Sequence, residues 1–166
     1  MQLLVNELAL LIKNGVWVTA LNTSLLIPDI CCSLENKDGR TDGKRYKNWV
    51  NRYFSKRYQG LLQGEDIYKL RCASLHQGKL NHDDLKNVRL LFQIPGGKQI
   101  HHCNLNVIQG QKIIELNIGI FCYDIVESYN EWVRSNKDNP IISENLKDGI
   151  NLYQHGLFGV PGPLFA

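Results

Sequence analysis

At 166 residues, with 43% apolar and 21% charged content, the chain has an ordinary globular composition, long enough to bury one core and without the bias of a repeat or low-complexity protein. Five cysteines (Cys31, Cys32, Cys72, Cys103, Cys122) form an odd set with no C-x-x-C spacing, which argues against a disulfide framework and fits a reduced, cytoplasmic protein. The net charge of +3 divides unevenly: Lys37 to Gly60 carries eight basic residues against Asp38 and Asp42, so the rest of the chain is net acidic. Such a block is the electrostatic footprint of a phosphate-bearing partner, and also the usual look of a solvated helix face.

Leu3, Leu4, Leu8, Leu11 and Ile12 repeat at helical spacing until Asn14-Gly15, predicting a first helix. Its start lacks a basic leader and contains Asn6 and Glu7, so neither a signal peptide nor a membrane span is expected here, and no later run reaches spanning length. Trp17, Leu21 and Leu25 continue a second helix, which Pro28 must either kink or restart. Asp29 shares the stripe of Leu25 and Cys32, where a carboxylate is costly to bury unless it caps a helix start or is paired. Two readings stay open for it: a cap near Pro28, or a partner that orients Arg71. Glu35 ends this segment, and Lys37 to Gly43 reads as a loop rich in glycine and aspartate.

Lys44 to Tyr58 is the next predicted helix, with Tyr46, Trp49, Val50, Tyr53 and Phe54 on one face. Lys44, Arg45, Lys47, Arg52, Lys56 and Arg57 fill the remainder and are the candidate nucleic-acid-binding residues. The rings either stack on single-stranded RNA or form core with the bases as the wet side; both hold together if the charge serves a partner and the rings serve the fold. Ile67, Leu70 and Ser74 then mark a helix with one buried side, closed by Gly78. That leaves His76 in the last turn, where the macrodipole favours its imidazolium form.

Lys79 to Asn87 reads as a loop, and Val88 to Ile94 as a strand followed by the turn Pro95-Gly96-Gly97. Lys98 to Ile108 and Lys112 to Leu116, joined by Gln109-Gly110, complete an expected antiparallel meander over 88–116. Asn117 is placed to cap a long helix carrying Phe121, Ile125, Val126, Tyr129, Trp132 and Val133. Lys137 to Pro140 is a loop, Ile141 to Tyr153 fits no single pattern, and Phe158 to Ala166 is an apolar tail whose Leu164-Phe165 end must pack in cis or on a second subunit.

Chemistry concentrates in Arg71-Cys-Ala-Ser-Leu-His76. An arginine able to grip phosphate beside a histidine able to move a proton is the minimum equipment for cutting RNA without a metal. These residues resemble the R-x4-6-H signature of the HEPN superfamily, mostly helical domains of toxins, anti-phage systems and RNA-processing enzymes. The wider context, Pro28 to Glu35, Gly43 to Tyr46 and Arg71 to Gly78, resembles a group of bacterial proteins of undescribed function. The resemblance covers about the first half of the chain. It implies a HEPN-like helical bundle that dimerises so that two motifs face each other, with Arg71 and His76 catalytic in metal-independent endoribonuclease chemistry and no cofactor. Where many active members carry a polar residue after the arginine, often asparagine, this chain has Cys72. Asp29 and Asp66 are the candidate supports for the Arg71 guanidinium.

On an ideal helix a five-residue separation sets Arg71 and His76 about 140° apart, which opposes convergence unless the turn loosens. His101-His102-Cys103 offers metal-ligand atoms, yet neighbours on a strand point to opposite faces. His76, His82-Asp83 and Asp124 only loosely mimic a metal phosphohydrolase set, so no metal site is expected. Cys72 beside Arg71 reads as a packing residue rather than a nucleophile. The alternative function is a non-catalytic helical dimer that binds nucleic acid or a protein partner. An open basic cleft favours the enzyme, and a bridged Arg71 favours the scaffold.

Overall fold

The computed structural model describes residues 2–78, 88–96 and 102–148, and within them the chain is mainly helical with one small sheet. The expected loop over 79–87, the start of the second arm, His82-Asp83, His101 and the apolar tail lie outside the described residues. Helix α1 (Gln2–Lys13) ends before Gly15, as its pattern predicts, with Val5 and Leu8 buried.

Helix α2 (Trp17–Glu35) is the central rod and runs unbroken through Pro28. Proline lacks an N–H and costs one backbone bond there, but Leu21, Leu25, Ile27, Cys31 and Leu34 are buried on several sides of the rod, so packing overrides the local penalty. Ser24 turns its hydroxyl onto the Leu21 carbonyl at 2.7 Å instead of leaving a polar group orphaned. Contrary to the expectation that no run reaches such length, α2 is long and apolar enough by composition to cross a membrane. Half of that window is buried inside the fold.

The single helix expected over 44–58 is a continuous path of three pitches. Helix α3 (Gly43–Trp49) opens on Asp42, whose carboxylate accepts from the Arg45 N–H at 2.8 Å. A π-helical segment (Val50–Phe54) and a 3-10 turn (Ser55–Tyr58) follow, ending on Gln59 in the left-handed conformation. Through this change of pitch Tyr46, Trp49, Val50, Tyr53, Phe54 and Tyr58 all stay buried. The aromatic stripe is therefore core: Phe54 packs edge-on against Phe121 with centroids 5.3 Å apart.

Helix α4 (Gly64–Gln77) crosses α2 and α3, and α5 (Ile118–Ser135) lies along α2 with Phe121, Cys122, Ile125, Tyr129 and Trp132 buried. Asn117 caps α5 by accepting from the Ile120 N–H at 3.1 Å. The chain continues through α6 (Pro140–Asn145) and a 3-10 turn (Leu146–Asp148).

The sheet differs from the meander that the sequence predicts. Strands β1 (Val88–Gln93), β2 (Asn104–Ile108) and β3 (Gln111–Asn117) stand in the order β1-β3-β2, with β1 parallel and β2 antiparallel to β3. Burial explains the rearrangement. Every residue of β2 is exposed, so it suits an edge, whereas Ile114 and Leu116 of β3 are buried and need a neighbour on each side.

Candidate active site

The position of α4 is set at its first residue. A Cβ on Gly64 would lie 2.3 Å from the Lys47 carbonyl oxygen, so only glycine lets α4 start against α3. The Gly64 N–H donates to Asn51 Oδ1 at 2.6 Å, and Lys47 reaches Glu65 at 2.9 Å. From there α4 passes α2 in the opposite sense: Ser74 donates to Asn22, and Arg71 Nε donates to Asp29 Oδ2 at 2.9 Å.

Asp29 is thus a mid-helix carboxylate paired to Arg71, and the cap alternative falls away because α2 does not restart at Pro28. Side-chain exposures of 14% for Asp29 and 21% for Arg71 shield the pair without enclosing it. Burial raises the Asp29 carboxyl above its ordinary value, more than the Arg71 charge and hydrogen bond lower it. For Arg71, burial works against the cation, but the Asp29 charge and hydrogen bond outweigh it and hold the guanidinium charged.

Gly78 closes α4 in the left-handed conformation at φ 63°, leaving His76 exposed in the last turn. His76 Nε2 lies 3.1 Å from Arg71 Nη1. The pair converges although α4 stays helical to Gln77, so no loosened turn is needed. Helix side chains lean toward the N-terminus, which brings His76 back while the long arginine stem covers the remaining angle. A guanidinium has only donors, so Nε2 is the acceptor in this contact and the ring proton sits on Nδ1. Asp29, Arg71 and His76 form one hydrogen-bonded line with the imidazole at its open end.

Asp66 takes no part in that line. At the third position of α4 it accepts from the Gln63 N–H at 2.9 Å and caps the helix, which corrects its expected support of Arg71. Cys72 is partly buried beside Arg71.

The six candidate nucleic-acid-binding residues are dispersed. Arg45 bridges Asp42 and Asp38 at 3.6 and 3.9 Å, Lys47 bridges Glu65, and Lys56 bridges Glu131. Arg57 Nε contacts Ser128 Oγ at 3.4 Å. Lys44 and Arg52 are exposed and form no ion pair among the described residues. Of the two readings of the aromatic stripe, the burial of Tyr46, Trp49, Tyr53 and Phe54 fits core.

A second polar cluster ties the sheet to the helices. His102 Nδ1 accepts from the Asn117 N–H at 3.2 Å, and its Nε2 is 3.8 Å from Asp124 Oδ2, which also accepts from Tyr58 at 2.9 Å. Burial lowers the His102 pKa, with Asp124 pulling the other way. Burial also pushes the Cys122 thiol up to about 12. Among the described residues no group of three or more His, Cys, Asp or Glu side chains has metal-binding geometry.

Two polar residues escaped the sequence reading. Glu35, taken only as a segment end, accepts from the Trp132 indole N–H at 2.6 Å, and Trp49, read as either a stacking ring or core, has a buried indole N–H with no acceptor among the described residues. Amphipathic spacing finds the ring of a tryptophan but not the fate of its N–H. In comparisons with known proteins, no family model, curated protein or solved structure matches this chain.

Proposed function

We propose that this protein is a metal-independent endoribonuclease acting as a homodimer, with Arg71 and His76 as its catalytic residues. One observation carries the reading: Asp29 holds Arg71 so that Nη1 lies 3.1 Å from His76 Nε2 at an exposed helix end. In this mechanism an incoming phosphate draws the guanidinium N–H off His76 and frees the Nε2 lone pair. The RNA 2′-hydroxyl loses its proton to that nitrogen as its oxygen bonds to phosphorus, and the bond from phosphorus to the 5′-oxygen breaks. The 5′-oxygen takes a proton from the protonated His76 of the second copy, giving a 2′,3′-cyclic phosphate and a 5′-hydroxyl. Arg71 stabilises the charge that builds on the phosphoryl oxygens. Asp29 positions Arg71.

The test is the chemistry of the cut. A chimeric oligonucleotide with 2′-deoxyribose at the cleavage position resists the protein, and the all-RNA strand yields cyclic phosphate ends. Cleavage of the deoxy-substituted bond excludes the mechanism.

A second reading has its own observation. Arg71 is bridged to Asp29, and Arg45, Lys47 and Lys56 are also paired with carboxylates, as befits a structural role. Under it the protein is a non-catalytic helical dimer that binds nucleic acid or a protein partner, and both RNA strands remain intact.

A further inference from the structure

We propose that the groove between the C-terminal end of α5 and α6 is the seat of the same chain's apolar tail, Phe158 to Ala166. The groove has a volume of about 340 Å³, with Leu34, Tyr129, Trp132, Val133, Ile142 and Leu146 among its walls.

Tyr129, Trp132 and Val133 fall at i, i+3 and i+4 on α5 and so share one face, and Ile142 and Leu146, four residues apart, bring the α6 side. Asn145 fixes α6 against the end of α2 by donating to the Leu34 and Asn36 carbonyls at 2.9 and 2.7 Å. The Tyr129 and Trp132 rings stack with centroids 5.9 Å apart. Both rings and Ile142 are buried, yet Val133 and Leu146 in the same walls are 40% and 47% exposed. A concave apolar site whose walls stay open to water suits an apolar occupant.

The chain carries a segment of matching chemistry. Gly149 to Ala166 contains no Asp, Glu, Lys or Arg, and nine of its 18 residues are apolar. Segments that water keeps unfolded have the opposite composition, rich in charge and poor in aromatic rings. Among the described residues that line the groove, Lys137 alone carries a charge, so an uncharged occupant leaves no ion unpaired. Pro161-Gly162-Pro163 favours an extended path with few backbone donors to satisfy. Extended segments with proline dock in grooves lined by aromatic rings, which Tyr129 and Trp132 supply.

The tether selects the chain's own copy over a second one. The described chain ends at Asp148, two residues past Leu146 in the groove wall. Ten residues lead from Asp148 to Phe158 and reach at most about 35 Å, enough to turn back onto a wall that includes Leu146. A short tether holds its end at an effective concentration on the order of millimolar, above that of a separate chain in dilute solution. The seating of the tail does not depend on the ribonuclease reading.

The test is photo-crosslinking of the full chain, in dilute solution, with p-benzoylphenylalanine in place of Phe158 or, in a second sample, of Phe165. Products are sized and then mapped by mass spectrometry. Cross-links are expected within 129–146, on a product of single-chain mass. Val133→Asp and Leu146→Asp, each at an exposed wall position, should cut the yield about ten-fold or more by placing a charge against the tail. Val18→Asp, at an exposed apolar position of α2 outside the groove, should leave it unchanged. Circular dichroism checks that each variant is folded, and either wall variant carries the test if the other is not. Cross-links mainly outside 129–146, no cross-link, a product of twice the chain mass, or wall variants that cross-link as well as the wild type overturn the proposal. The doubled mass would seat a second copy's tail there instead.

Discussion

Asp29 decides what Arg71 can do. Its carboxylate occupies Nε and leaves Nη1 to meet His76. Its folded pKa lies above the ordinary 3.8, so the folded state binds this proton more readily than the unfolded chain does. The resulting stability is fully present below about 3.8 and is lost as pH rises through the folded value. At neutral pH ionised Asp29 is kept for position rather than for stability. Two consequences are measurable. RNA cleavage should fall on the acid side as Asp29 takes up its proton, at a pH above 3.8, and Asp29→Asn should lose that limb. The same substitution should slow cleavage about a hundred-fold by releasing the arginine. Chemical unfolding near neutral pH should change by no more than about 1 kcal/mol, because burial costs the Asp29 carboxylate more than its pairing with Arg71 returns.

At the scale of elements, two contacts set where the helices stand. Gly64 lets α4 meet α3 with no space for a methyl group. Gly64→Ala should therefore cost about 2–3 kcal/mol in denaturant unfolding, an overpacking penalty that falls on backbone rather than on a movable side chain. His102 joins the sheet to the start of α5 through the lone pair that Asn117 N–H uses. Its folded pKa is depressed, so its contribution is full above the ordinary 6.5 and is lost as pH falls through the lower folded value. Thermal unfolding should show the wild type losing stability between neutral and mildly acid pH, with His102→Gln losing less over the same interval.

These elements also mark what can be read from a sequence. Residues repeating at 3.6 or 2 positions locate α1, α4, β1 and α5, because burial on one face imposes those periods, and Asn117 and Gly78 are legible as caps for reasons of local geometry. The π-helical turn, the passage of α2 through Pro28 and the parallel pairing of β1 with β3 are decisions of packing between distant segments, which no local pattern carries. Arg71 and His76 stand out as chemistry, yet the ideal helix sets them apart, and their contact depends on side-chain reach. Asp29 is visible as an anomaly in an apolar stripe; its partner lies 42 residues away.

For the whole molecule, the proposed mechanism assigns one histidine per chain and needs two, so activity and association must go together. Sedimentation should find a particle of twice the chain mass, and specific activity should fall on dilution through the dissociation range. A fully active monomer contradicts the composite site. The central claim is that Arg71 and His76 cut RNA without a metal. The most direct measurement is cleavage of mixed single-stranded and transfer RNA in EDTA by the wild type, Arg71→Ala and His76→Ala, each first shown to be folded and dimeric. The account predicts cleavage by the wild type and a loss of at least about a hundred-fold in each variant. An inert wild type, or variants that cut as well as it does, would contradict it and leave Arg71 as the strut that ties α4 to α2.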